Sequence, residues 1–106
     1  MKKFLLLYMS PATAEEQMFS PEEMEKRMEP WNAWQKKYAK AIVDFGAPLG
    51  AGTRTDKKGN SESQSQVRGF SIVQANDMEA VKAMLTNHPH LMTPKASIEA
   101  FEMIEM

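Results

Sequence analysis

The sequence predicts an α+β fold in which two helices cover one face of a four-stranded antiparallel sheet. Three observations carry this. Apolar runs at Phe4–Met9, Val67–Ala75 and Ser97–Met106 read as strands. A long helical periodicity lies between the first and second of them. A shorter helical stripe lies between the second and third. With a further short strand near residue 50, the order is β-α-β-β-α-β.

The chain in order supports each element. Phe4 to Met9 is apolar without a break, as in a strand covered on both faces, and Ser10-Pro11 ends it. Ala12 to Met18 reads as a loop or a loose turn of helix. Ser20 and Glu23 form an S-x-x-E capping box with Pro21 at the first helical position, and Phe19 and Met24 are spaced as a hydrophobic staple. From there Met24, Met28, Trp31, Gln35, Tyr38, Ile42 and Phe45 recur at steps of four and three. That spacing predicts one helix running to Gly46, a natural stop, with a kink or restart at Pro30, which cannot donate to Lys26. Gln35 is the single polar residue on this stripe.

Pro48, Gly50 and Gly52 then break the chain, and Gly50 to Asp56 reads as a short edge strand. Lys57 to Asn60 is a turn. Ser61 to Gln66 is a low-complexity polar run, suited to a hairpin tip or a lid. Val67 to Ala75 is the second strong strand. Asn76 or Asp77 caps the second helix, whose stripe is Met78, Val81, Met84 and Leu85, and His88-Pro89 ends it. The closing strand sets Ile98, Ala100 and Ile104 on one face against Phe101 and Met103 on the other. Two interleaved β-α-β units with right-handed crossovers make a ferredoxin-like sandwich. Strands apolar on both sides leave the second sheet face needing a cover, and a homodimer packed sheet on sheet supplies it.

Composition narrows the function classes. A chain of 106 residues reads as one domain, residues 1–106. The 13 basic and 14 acidic residues nearly cancel, so nothing draws the chain to nucleic acid. There is no cysteine, which removes disulfides and thiolate chemistry. The Lys2–Tyr8 stretch is too short for a secretory leader, and no segment approaches the ~20 apolar residues of a membrane span. A cytoplasmic protein without a membrane partner is the expectation. The ten methionines fall mostly at core-like spacings.

Lys3-Phe4-Leu5-Leu6-Leu7-Tyr8, the Ser20-Pro21-Glu22-Glu23 cap, the approach to Gly46-Ala47-Pro48-Leu49, and Gly69-Phe70-Ser71-Ile72-Val73-Gln74-Ala75 ahead of Asp77 resemble the YCII-related domain family, in particular its DGPF branch. The resemblance spans nearly the whole chain. It implies a ferredoxin-like subunit that pairs into a dimeric α+β barrel, in a superfamily that includes small monooxygenases and isomerases. Two departures follow from it. The Asp-Gly-Pro-Phe signature is replaced by the Ser61–Gln66 run. The aspartate and helix histidine that form an acid–base couple in the YciI-like branch match Ser10 and, counting back from Gly46, Gln35. A carboxylate fixes an imidazole's tautomer and raises its basicity, and neither serine nor glutamine does so.

The ligand-binding candidates are Tyr8, Ser10, Gln35, Arg54 and Trp34. Tyr8 ends the first strand where its hydroxyl needs a polar neighbour. Gln35 makes either a structural hydrogen bond or a ligand contact. Arg54 and Arg68 flank the polar hairpin and suit an anionic ligand or a surface ion pair. Trp31 belongs to the core. Trp34 falls off the stripe and suits a pocket mouth or dimer contact. His88 and His90 read as a solvated loop, and Asp44 as a surface carboxylate paired with Lys40. No cofactor or metal set is expected. The reading is a small-molecule-binding homodimer. The alternatives are a cofactor-free monooxygenase- or isomerase-like enzyme on a small organic substrate, and a structural or regulatory interaction module.

Overall fold

The computed structural model describes residues 1–11 and 21–105, except the side chain of Met24. The Ser20 cap, the Phe19–Met24 staple and the Ala12–Met18 loop lie outside these residues. Strand β1 is Lys2–Met9, α1 is Pro21–Lys37, β2 is Ile42–Pro48, β3 is Thr53–Asp56, β4 is Gly59–Glu62, β5 is Val67–Ala75, α2 is Met78–Leu85 and β6 is Ser97–Glu102. A single 3-10 turn, Pro89–Met92, joins α2 to β6.

Four strands form one antiparallel sheet in the order β2-β5-β1-β6. With both helices on one face this is the ferredoxin-like α+β arrangement. β3 and β4 pair only with each other, as a hairpin inserted between the second and third strands of the sheet. No described helix is long and apolar enough to cross a membrane.

Strand alternation sets the core. Phe4, Leu6 and Tyr8 of β1 and Val73 and Ala75 of β5 are buried with Trp34 of α1 and Val81 and Met84 of α2. Asp77 caps α2, its Oδ1 accepting the backbone N–H of Ala80 at 2.9 Å. Across the register Leu5 faces Ile72 and Phe101, and Leu7 faces Phe70. These five side chains share the sheet face away from the helices. Phe101 is 51 % exposed there.

The structure corrects the extent of the first helix. It ends at Lys37, nine residues before Gly46. A turn closed by the Ala41 and Ile42 N–H groups on the Tyr38 carbonyl follows. Gln74 N–H then donates to the Ala41 carbonyl at 2.7 Å, and β2 pairs with β5. Tyr38, Ile42 and Phe45 keep a helical spacing, but Ile42 and Val43 are β-branched and the sheet offers partners for the backbone there. A strand therefore replaces the last part of the predicted helix. The expected edge strand at Gly50–Asp56 is instead the first arm of the hairpin. Ser61 and Glu62 belong to its second arm. β6 stops at Glu102.

The buried face of α1 is also turned by one residue. Trp34 is buried and Trp31 and Tyr38 are half-buried, whereas Gln35 is exposed. Trp31, Trp34 and Tyr38 also recur at steps of three and four, and burying a second indole outweighs burying an amide that would need partners. α1 runs unbroken through Pro30.

Candidate functional site

A cleft of about 240 Å³ opens between α1 and the end of the sheet. Tyr8, Trp31, Phe45 and Met28 line it with the Gly46–Pro48 stretch of β2, Arg68–Phe70 of β5 and His90. The rings meet edge to face: Tyr8 and Trp31 lie 5.0 Å apart between centroids, Trp31 and Phe45 6.1 Å. β2 bulges between Asp44 and Ala47, and Gly46 sits there at φ +83°. A Cβ on Gly46 would stand 1.7 Å from the Phe70 carbonyl oxygen. Glycine is therefore what lets β2 close on β5 and Phe45 enter the cleft wall.

Tyr8 has no free acidity to offer. Its hydroxyl donates to Ser71 Oγ at 2.8 Å, and Ser71 Oγ donates to the Phe45 carbonyl at 2.6 Å. Burial pushes the phenol up to about 12, against a smaller lowering by the Ser71 bond. The chain of two bonds ties β1, β5 and β2 together behind the cleft.

The two histidines are its polar elements. Neither lies in a solvated loop, which corrects the expectation for both. His88 is 1 % exposed, 4.5 Å from Trp34, 4.8 Å from Trp31 and 5.2 Å from Tyr8 between ring centroids. Its Nδ1 accepts the His90 backbone N–H, and its Nε2 has no hydrogen-bond partner among the described residues. Burial, and secondarily the charge of His90, push its pKa down to about 4. His90 Nε2 lies 2.9 Å from the Met9 carbonyl. A carbonyl only accepts, so Nε2 carries the proton and Nδ1 of the neutral ring is an acceptor. The partner that orients His90 is thus a main-chain oxygen and not a carboxylate.

The other predicted residues scatter. Tyr8 is in the cleft wall. Ser10 is buried at the end of β1, where its N–H donates to the Gln66 carbonyl and its own carbonyl accepts Arg68 Nε at 2.8 Å. Trp34 is a core residue whose Nε1 donates to the Met84 carbonyl at 2.9 Å, joining the two helices; a pocket-mouth place is excluded by its burial. Arg54 lies on the exposed hairpin, paired with Asp56. Asp44 is on β2, and its Oδ1 caps the Gly46 N–H at 2.8 Å rather than pairing with Lys40. Gln35 is exposed and lines no part of the cleft. Counting back from Gly46 along one helix crosses a turn and a strand in the folded chain, so that count does not identify a histidine position. Trp31, Phe45 and His90 are the cleft residues that sequence reasoning missed. The H-P-H spacing was visible, but the 3-10 turn that folds it onto Tyr8 was not.

A family model for the YCII-related domain matches residues 1–106. The chain belongs to the YCII-related domain family. Among curated proteins no match is found. Among solved structures, the chain is similar to 5-chloro-2-hydroxyhydroquinone dehydrochlorinase (TftG) from Burkholderia phenoliruptrix AC1100, solved in complex with 2,5-dihydroxybenzoquinone. The two are 22 % identical over 92 % of this chain and 90 % of that one, with a TM-score of 0.48.

Proposed function

We propose that this YCII-related domain binds a small, planar, largely apolar organic molecule in the cleft beside α1, and does so as a homodimer. The cleft wall carries the first part: three aromatic rings, a methionine and the carbon-rich β2–β5 edge surround the space, and the polar groups behind it are engaged with one another. Tyr8 is the contact that sequence and geometry share. The open sheet face carries the second part. Leu5, Leu7, Phe70, Ile72 and Phe101 form a contiguous apolar surface of the kind that monomers rarely leave in water.

Trp31 makes the ligand test direct. Nitrobenzene, a flat neutral quencher, should reduce tryptophan emission saturably in the native protein. Trp31→Phe keeps an aromatic wall and should lose the saturable part, leaving Trp34 emission almost unquenched. Quenching that rises linearly without saturation in the native protein would rule out the cleft as a binding site.

A further inference from the structure

His90 meets the cleft with its tautomer already decided. Its ring lines the space, with its centroid 5.3 Å from that of Tyr8 and 6.4 Å from that of Trp31. Nε2 is spent on the Met9 carbonyl at 2.9 Å, so Nδ1 of the neutral ring keeps a lone pair. Among the described residues nothing donates to that Nδ1. It is not sealed in either: the enclosed side-chain nitrogen without a partner among them is His88 Nε2. The ring is held at both ends, by Met9 through Nε2 and by His88 through the His90 main-chain N–H at 3.0 Å. The lone pair is therefore in place before any ligand arrives.

The other polar side chains of the wall do not offer the same thing. Arg68 can only donate, and its Nε is already engaged with the Ser10 carbonyl at 2.8 Å. Trp31 also only donates, and the Met28 sulfur is a weak acceptor. Tyr8 has given its proton to Ser71, and its oxygen stands against that hydroxyl at 2.8 Å, behind the cleft. In a wall otherwise of rings and carbon, a good acceptor rewards an occupant that donates to it. An occupant that takes its place without donating strips the nitrogen of water and returns nothing.

We infer that the cleft selects planar molecules carrying an N–H or O–H donor on the ring, and that His90 Nδ1 receives that donor while Tyr8, Trp31 and Phe45 hold the ring's faces and edges. This rests on the proposed binding of a planar molecule in the cleft and adds what that molecule must offer. His90 is then the residue that sets specificity, and the rings supply the affinity common to all flat occupants.

Indole and benzofuran separate the two ideas, because they share a shape and differ in one ring atom, an N–H against an oxygen. Titration calorimetry on the native protein, in mildly alkaline buffer where imidazoles are ordinarily neutral, should show indole binding roughly tenfold more tightly, the worth of one neutral hydrogen bond at a partly open site. His90→Phe keeps a ring in the wall and should bring the two affinities together; circular dichroism checks its fold. Nitrogen NMR of the native protein gives a readout that needs no variant: the unprotonated ring nitrogen of His90 should shift much further with indole than with benzofuran. Equal affinity of the native protein for both probes overturns the donor requirement and leaves the planar-molecule reading intact. An indole preference that survives His90→Phe, or that leaves the His90 nitrogen unmoved, also overturns it, because a main-chain carbonyl would then be the acceptor. Failure of both probes and of nitrobenzene to bind overturns the underlying reading and this inference with it.

Discussion

The backbone N–H of His90 donates to Nδ1 of His88 at 3.0 Å. One bond therefore sets two things. It requires a lone pair on His88 Nδ1, which puts the proton of the neutral ring on Nε2, in a ring packed against Tyr8, Trp31 and Trp34. It also holds the main chain of His90, whose side chain reaches back to the Met9 carbonyl and closes one side of the cleft.

Acid should weaken this protein through His88. The folded pKa is pushed from the ordinary 6.5 down to about 4. Between those values the unfolded chain binds a proton that the folded chain refuses, so stability rises with pH across that window. The contribution is present above the unfolded value and lost as pH falls toward the folded one. Its size is on the order of 3 kcal/mol. Urea unfolding followed from about pH 7 to about pH 4 should show this slope, and His88→Phe should flatten it. An unchanged slope in the variant would assign the acid sensitivity to other groups.

The Tyr8–Ser71–Phe45 chain predicts an asymmetry between two small changes. Ser71→Ala leaves a buried phenol without its acceptor and the Phe45 carbonyl without its donor, and should cost about 1–3 kcal/mol. Tyr8→Phe leaves the Ser71–Phe45 bond in place and should cost about 0.5–1.5 kcal/mol. The double variant should be less destabilised than the two losses added, a coupling that thermal or denaturant unfolding of the four proteins measures.

Gly46 and Gly50 should respond oppositely to one methyl group. Gly46→Ala forces an L side chain to φ +83° and against the Phe70 carbonyl, and should cost about 3 kcal/mol or more. Gly50 has nothing within 4 Å of the added carbon. Gly50→Ala should stay within about 0.5 kcal/mol of the native protein or gain slightly by restricting the unfolded chain. Parallel melting curves decide this.

Dimerisation through the open sheet face should give a particle of twice the 12.0 kDa chain mass in light scattering. The interface should exceed about 1,000 Å² in total. Phe101→Asp places a carboxylate on that face, on its edge strand β6, and should return the mass to that of one chain. A native protein that remains at 12.0 kDa at micromolar concentration would leave the apolar face without this partner.

The amino-acid sequence alone determined the strands at Phe4–Met9 and Val67–Ala75, the second helix with a cap at Asn76 or Asp77, the ferredoxin-like order and the family. Each of these rests on patterns local to one segment: an unbroken apolar run, a capping residue, a period of two or of three and four. It also marked Tyr8, because a tyrosine at a strand end needs a polar neighbour. Tertiary structure decided where α1 stops and which way it faces. Tyr38, Ile42 and Phe45 satisfy a helical period and a sheet edge equally well, and only the carbonyls and N–H groups of β5 choose between them. Trp34 and Gln35 are one residue apart, and a one-residue phase of a helix is settled by which side chain fills the space under Met84, not by spacing. The cleft was decided in the same way: Trp31, Phe45 and His90 come from a helix, a strand and a 3-10 turn, and Gly46 and His88 bring them together through contacts that no single stretch of chain contains.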